Sequence, residues 1–109
     1  FAGDMPKGSL VRFMRANLDR VVDASATAAQ SSLEPFSNKP ELAILISCVG
    51  RKLVLGQRTE EEVEAAREVF GADTVMTGFY SYGEISSQNP NARCELHNQT
   101  MTITTLSEI

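Results

Sequence analysis

The residues best suited to recognition chemistry fall in three short polar clusters. Ser47-Cys48-Val49-Gly50-Arg51 brings a hydroxyl, a thiol and a guanidinium, Tyr80-Ser81-Tyr82-Gly83-Glu84 two phenols and a carboxylate, and His97-Asn98-Gln99-Thr100 the single histidine with amides and a hydroxyl. A guanidinium holds a carboxylate or phosphate through two parallel hydrogen bonds. Arg51 could therefore grip the carboxylate of an amino acid, with Glu84 on its ammonium. Equally, Arg51 and Glu84 could pair with each other across adjacent strand ends. Tyr80 and Tyr82, two apart, would share one strand face, either as core and rim or as an aromatic wall around a ligand. Gly50, Gly78 and Gly83 read as backbone permissions for turns and close packing, or as points of ligand approach. His97 and Asn98 are either satisfied polar residues or ligand contacts, and Cys48, inside an apolar run, reads as buried filler.

Catalytic patterns are thin. The chain has no Gly-x-Ser-x-Gly elbow, no Gly-rich dinucleotide fingerprint and no phosphate-binding Gly-Lys-Ser/Thr loop. One histidine and two cysteines, Cys48 and Cys94, do not make a metal-ligand cluster. A Cys48–His97 thiolate pair would need both side chains exposed and adjacent. The expectation is a protein that is not an enzyme, with no metal, no cofactor and no catalytic residues. Asn98-Gln99-Thr100 matches a glycosylation sequon, which in a reducing compartment is chance.

Positioning these clusters is the task of the surrounding elements. Ser9 to Ala16 alternates β-prone residues after a Pro-Lys-Gly turn and predicts a first strand. Asn17 can cap a helix that runs to Leu33, where Pro35 ends the pattern. Glu41 to Cys48 is a nearly unbroken apolar run of strand length, which predicts a central strand covered on both faces. Arg51 to Leu55 is open between a short helix and irregular chain. Thr59 with Glu62 spells a capping box for a second helix, acids fill its first turn, Val63, Ala66, Val69 and Phe70 form its apolar face, and Gly71 closes it. Asp73–Tyr82 and Thr100–Leu106 read as strands, with Gly83–Gln99 a long polar segment between them. The fold class is therefore α/β, a mixed sheet of about four strands in the order β-α-β-α-β-β with helices packed on it and the last strand antiparallel. Ligands of such sheets bind at the carboxyl ends of the strands. All three polar clusters converge on that edge, so the candidate ligand-binding set is Ser47, Gly50, Arg51, Tyr80, Tyr82, Gly83, Glu84, His97 and Asn98.

Length and charge narrow the classes further. The 109 residues suit one domain, 42% apolar and 22% charged residues exclude a disordered tail, and opening on Phe1 reads as a piece of a longer protein. A net charge of −4 disfavours nucleic acid as a partner. The first twenty residues nevertheless carry Lys7, Arg12, Arg15 and Arg20 against Asp4 and Asp19, while Thr59 to Asp73 holds six carboxylates and one arginine, read as a solvated helix face. No apolar run is long enough to span a bilayer, and two separated cysteines suit a reducing, cytoplasmic setting.

Taken together, Ser47-Cys48-Val49-Gly50-Arg51, Gly78-Phe79-Tyr80-Ser81-Tyr82-Gly83-Glu84-Ile85 and Leu96-His97-Asn98-Gln99-Thr100 resemble the three successive motifs of the FIST C-terminal domain. Gly8-Ser9-Leu10-Val11-Arg12 and Arg15-Ala16-Asn17 resemble its opening strand, so the likeness covers nearly the whole chain, residues 1–109. The resemblance implies an intracellular sensory input domain of a signal-transduction protein that binds a small molecule, an amino acid being the family-level proposal. It also implies a FIST N-terminal domain and a signalling output as partners. A protein-interaction or dimerisation module, with a homodimer as its simplest form, is the competing reading.

Overall fold

In the computed structural model, residues 4–87, 89 and 91–108 are described. The first helix, α1, spans Leu18–Leu33, with Asn17 as its cap: the Asn17 side chain accepts from the Arg20 amide at 3.1 Å, satisfying one of the four amides a helix start leaves unpaired. Strand β1, Leu42–Cys48, follows and leads without a loop into helix α2, Val49–Leu55. A 3₁₀ turn over Gly56–Arg58 connects to helix α3, Thr59–Phe70, which ends where Gly71 takes a positive φ of 84°. Strand β2 is Val75–Ser81, and the short strands β3, Glu84–Ser86, and β4, Glu95–His97, precede β5, Met101–Leu106.

The main sheet has the order β2-β1-β5, with β1 parallel to β2 and antiparallel to β5. The molecule is thus an α/β domain with a mixed sheet and an antiparallel last strand. Register decides which residues share a face: Ser47 stands opposite Tyr80 and Met101, and Leu45 opposite Gly78 and Ile103. Ala43 and Leu45 meet Ala29 of α1 and Ala66 and Phe70 of α3 in one buried cluster. Both long helices therefore cover the same side of the sheet. Small residues at Ala29, Ala43 and Ala66 let helices and sheet approach closely, and Phe70, wholly buried, contributes about 1.5–3 kcal/mol.

Three local features depart from expectation. Ser9–Ala16 is not a strand: it is exposed chain, with a turn bond from the Ser9 amide to the Pro6 carbonyl. Alternation supplies only propensity, and a strand also needs a neighbour to pair with, which this segment lacks among the described residues. The polar segment after Gly83 contains a two-stranded antiparallel ribbon, β3 with β4, in which Glu84 faces His97. Finally, β1 is central but alternates buried with half-buried residues, because no described element covers the face of Leu42, Ile44 and Ile46.

Candidate functional site

Polar side chains gather where the carboxyl ends of β1 and β2 meet α3. Their centre is Glu62, a carboxylate with no exposed surface. Arg51 Nε donates to Glu62 Oε2 at 2.9 Å, Tyr80 Oη to Oε1 at 3.0 Å, and Ser47 Oγ to Oε1 at 3.1 Å. Burying a carboxylate is tolerable only with donors of this kind around it. Arg51, itself 4% exposed, turns its remaining donors to the protein. Nη2 meets the Val21 carbonyl at 2.6 Å and Ser25 Oγ at 2.8 Å, and Nη1 reaches the Gln99 carbonyl at 3.5 Å. One guanidinium thereby ties α1, α3 and the start of β5 together.

Residue 62 was assigned by sequence to a capping box, and the structure gives it other work. The Thr59 hydroxyl turns back to the Gly56 carbonyl at 2.6 Å, and no side chain caps α3. A buried guanidinium without its counter-charge would cost several kcal/mol, against about 1 kcal/mol for an exposed cap, so the pair prevails. The signal was present: Glu62, Ala66 and Phe70 lie at i, i+4 and i+8, on the buried stripe of α3. Ser25 sits four residues before Ala29 on the buried stripe of α1 in the same way.

A second network surrounds Glu84, which is 4% exposed. Ser81 Oγ donates to one carboxylate oxygen at 2.7 Å and Thr100 Oγ1 to the other at 2.6 Å. Glu84 therefore does not pair with Arg51. The two networks adjoin through Gln99 and Thr100, since the Thr100 carbonyl also receives the Cys48 amide at 2.9 Å. The three strand-end clusters do come together, but around two buried carboxylates of the protein itself.

The remaining candidates lie at the rim. His97 sits with its Nε2 3.1 Å from the Ser86 carbonyl, Tyr82 is exposed, and Asn98 approaches Gly83, where an added Cβ would meet Asn98 Oδ1 at 3.5 Å. Gly50 packs against Gln99, whose Cγ would lie 3.2 Å from an added Cβ. Cys48 is buried and Cys94 exposed, both as free thiols.

Beside Glu62 opens a cavity of about 250 Å³ between α3 and the β2 side of the sheet. Its walls are mainly apolar, from Leu45, Val63, Met76 and Met101, and Ser47, Glu62 and Tyr80 supply the polar end. Gly78 contributes to the room. A side chain there would run into the Leu45 carbonyl oxygen, so glycine is required for β2 to lie against β1 at this point. Burial, followed by the hydrogen bond to Glu62, pushes the Tyr80 phenol up to about 12. The Lys52 ammonium stands 5.0 Å from the centre of the Tyr80 ring, a cation–π contact.

This is an open-sheet α/β module with one helix-covered face and a mainly apolar cavity between α3 and β2. Comparison with protein families matches the FIST C domain over residues 1–87, and the chain belongs to that family, whose members act as sensory domains in signal transduction. No curated protein and no solved structure matches the chain. Among the described residues, no helix is long and apolar enough to cross a membrane, and no group of three or more acidic, histidine or cysteine side chains is placed to hold a metal.

Proposed function

We propose that this domain senses a small molecule of amino-acid size in the cavity between α3 and β2. The observation that carries the reading is the cavity itself, mainly apolar, with Glu62, Tyr80 and Ser47 as polar groups in its wall. Ligand sites commonly combine an apolar enclosure with a few fixed polar groups. An apolar amino acid suits it: side chain along Met76, Val63 and Met101, ammonium toward the Tyr80 hydroxyl oxygen, whose own proton is given to Glu62, and carboxylate toward Lys52 at the rim. This gives Lys52 and the Tyr80 hydroxyl the parts that the sequence suggests for Arg51 and Glu84, because the latter two, like Glu62, are buried and held by protein partners. Glu62 also bonds Arg51, which holds the α1 backbone, so occupancy would be felt at α1 through one residue.

Thermal unfolding in the presence of each apolar amino acid tests the reading. A ligand at about 100 times its dissociation constant stabilises by ~2.7 kcal/mol. The stabilisation is expected in the native chain and absent from Val63→Trp, which fills the cavity from a partly exposed position. Equal stabilisation of both proteins, or of neither, rejects it.

A further inference from the structure

Among the described residues, the segment Ser9–Ala16 has the pattern of a strand but no partner, and β2 is an edge strand with a free side. We propose that the two are complementary across copies: the arm of one molecule adds as a fourth strand to the β2 edge of a second, giving a reciprocal dimer. This goes beyond the ligand reading and does not depend on it.

The arm exposes Leu10, Val11, Phe13 and Met14, with Phe13 89% accessible. Such a run is poorly suited to water and well suited to a sheet edge. The β2 edge offers apolar surface on both faces. Val75 and Phe79 are exposed on one, while Met76 lies on the other, where α3 contributes the exposed Val63. Alternation in the arm matches this, sending Val11 and Phe13 to one side and Leu10, Arg12 and Met14 to the other.

Charge selects β2 over β5. The first twenty residues hold four cations against two carboxylates, leaving twelve carboxylates against six cations in the remainder. Glu60 and Glu64, one turn apart, flank Val63 on the exposed side of α3, and Asp73 precedes β2. Arg12 and Arg15 of an incoming arm meet these acids, whereas β5 carries no charged residue. Lys52, at the far end of β2 over Tyr80, and Arg67, on the Thr74 carbonyl at its near end, offset them in part.

Reach favours a second copy over the arm's own β2. α1 packs on β5, and at the end from which the arm leaves, Arg51 ties the Val21 carbonyl to the Gln99 carbonyl just before β5, so the arm starts over the side of the sheet away from the β2 edge. Crossing three strand spacings of about 4.8 Å, and descending from the helix layer, consumes at least about five residues at ~3.3 Å each. Too few of Ser9–Ala16 then remain to pair along β2.

The test is light scattering and amide exchange on the full chain, without ligand, over a concentration series. The double variant Phe13→Pro/Met14→Pro serves as control. Adjacent amides of a strand point to opposite sides, so one of the two prolines must remove a pairing amide, and neither position touches the core. Expected are a mass rising to two copies, protection of outward β2 amides that rises with it, weakening by salt, and loss of both in the variant. A chain monomeric at every concentration overturns the proposal, as does a dimer indifferent to the prolines. Concentration-independent β2 protection in a monomer, lost in the variant, also overturns it and assigns the edge to the molecule's own arm.

Discussion

Replacing Glu62 by glutamine keeps the size of the side chain and removes its charge. Arg51 is then left as a buried cation with neutral acceptors alone: the Val21 and Gln99 carbonyls, the Ser25 hydroxyl and the amide oxygen that replaces the carboxylate. Breaking a buried pair in this way costs about 3–5 kcal/mol, a large part of the ~5–15 kcal/mol that holds a domain folded. Near 100 residues each kcal/mol lowers the melting temperature by roughly 4–6 °C, so a fall of about 12–30 °C is expected. Urea unfolding should show the same loss as a lower midpoint at unchanged slope, since the surface exposed on unfolding does not change. Arg51→Met combined with Glu62→Gln should be less damaging than the sum of the two single changes, because the stranded charge is gone. A Glu62→Gln protein within about 0.5 kcal/mol of the parent would refute the reasoning, since that is the scale of an ordinary surface change.

Two further outcomes follow from the same geometry. Gly78→Ala drives a methyl group into the Leu45 carbonyl, so β1 and β2 must separate locally; a loss of about 1–3 kcal/mol is expected in urea unfolding, and an unchanged midpoint would contradict the close approach. In a Tyr82→Phe background, absorbance titration should find the one remaining phenol, Tyr80, ionising at about 12. Its folded value lies above the ordinary 10, so its contribution to stability is complete below pH 10 and is lost as pH rises toward 12. Tyr80→Phe should lose less stability over that window, as pH-dependent melting would show.

Much of the fold was legible because local chemistry and tertiary context agree. Asn17 has a side chain that caps and Gly71 a backbone that closes a helix, while the apolar run before Cys48 lacks any polar side chain until Ser47. The ribbon of β3 and β4 was hidden because three-residue strands rich in polar side chains carry no periodicity to detect.

By itself the sequence determined that three polar clusters occupy the ends of strands, since strand and helix lengths follow from apolar spacing. Only the tertiary structure decided who pairs with whom. Arg51 finds Glu62 and not Glu84 because α3 lies across the ends of β1 and β2 and delivers its buried stripe there, eleven residues further along the chain. Linear spacing cannot rank two carboxylates as partners of one guanidinium, whereas packing can: Glu62 is delivered to Arg51, and Glu84 is satisfied by the Ser81 and Thr100 hydroxyls. The same holds for Ser9–Ala16, whose alternation offers a strand, while only the presence or absence of a neighbouring edge decides whether it becomes one.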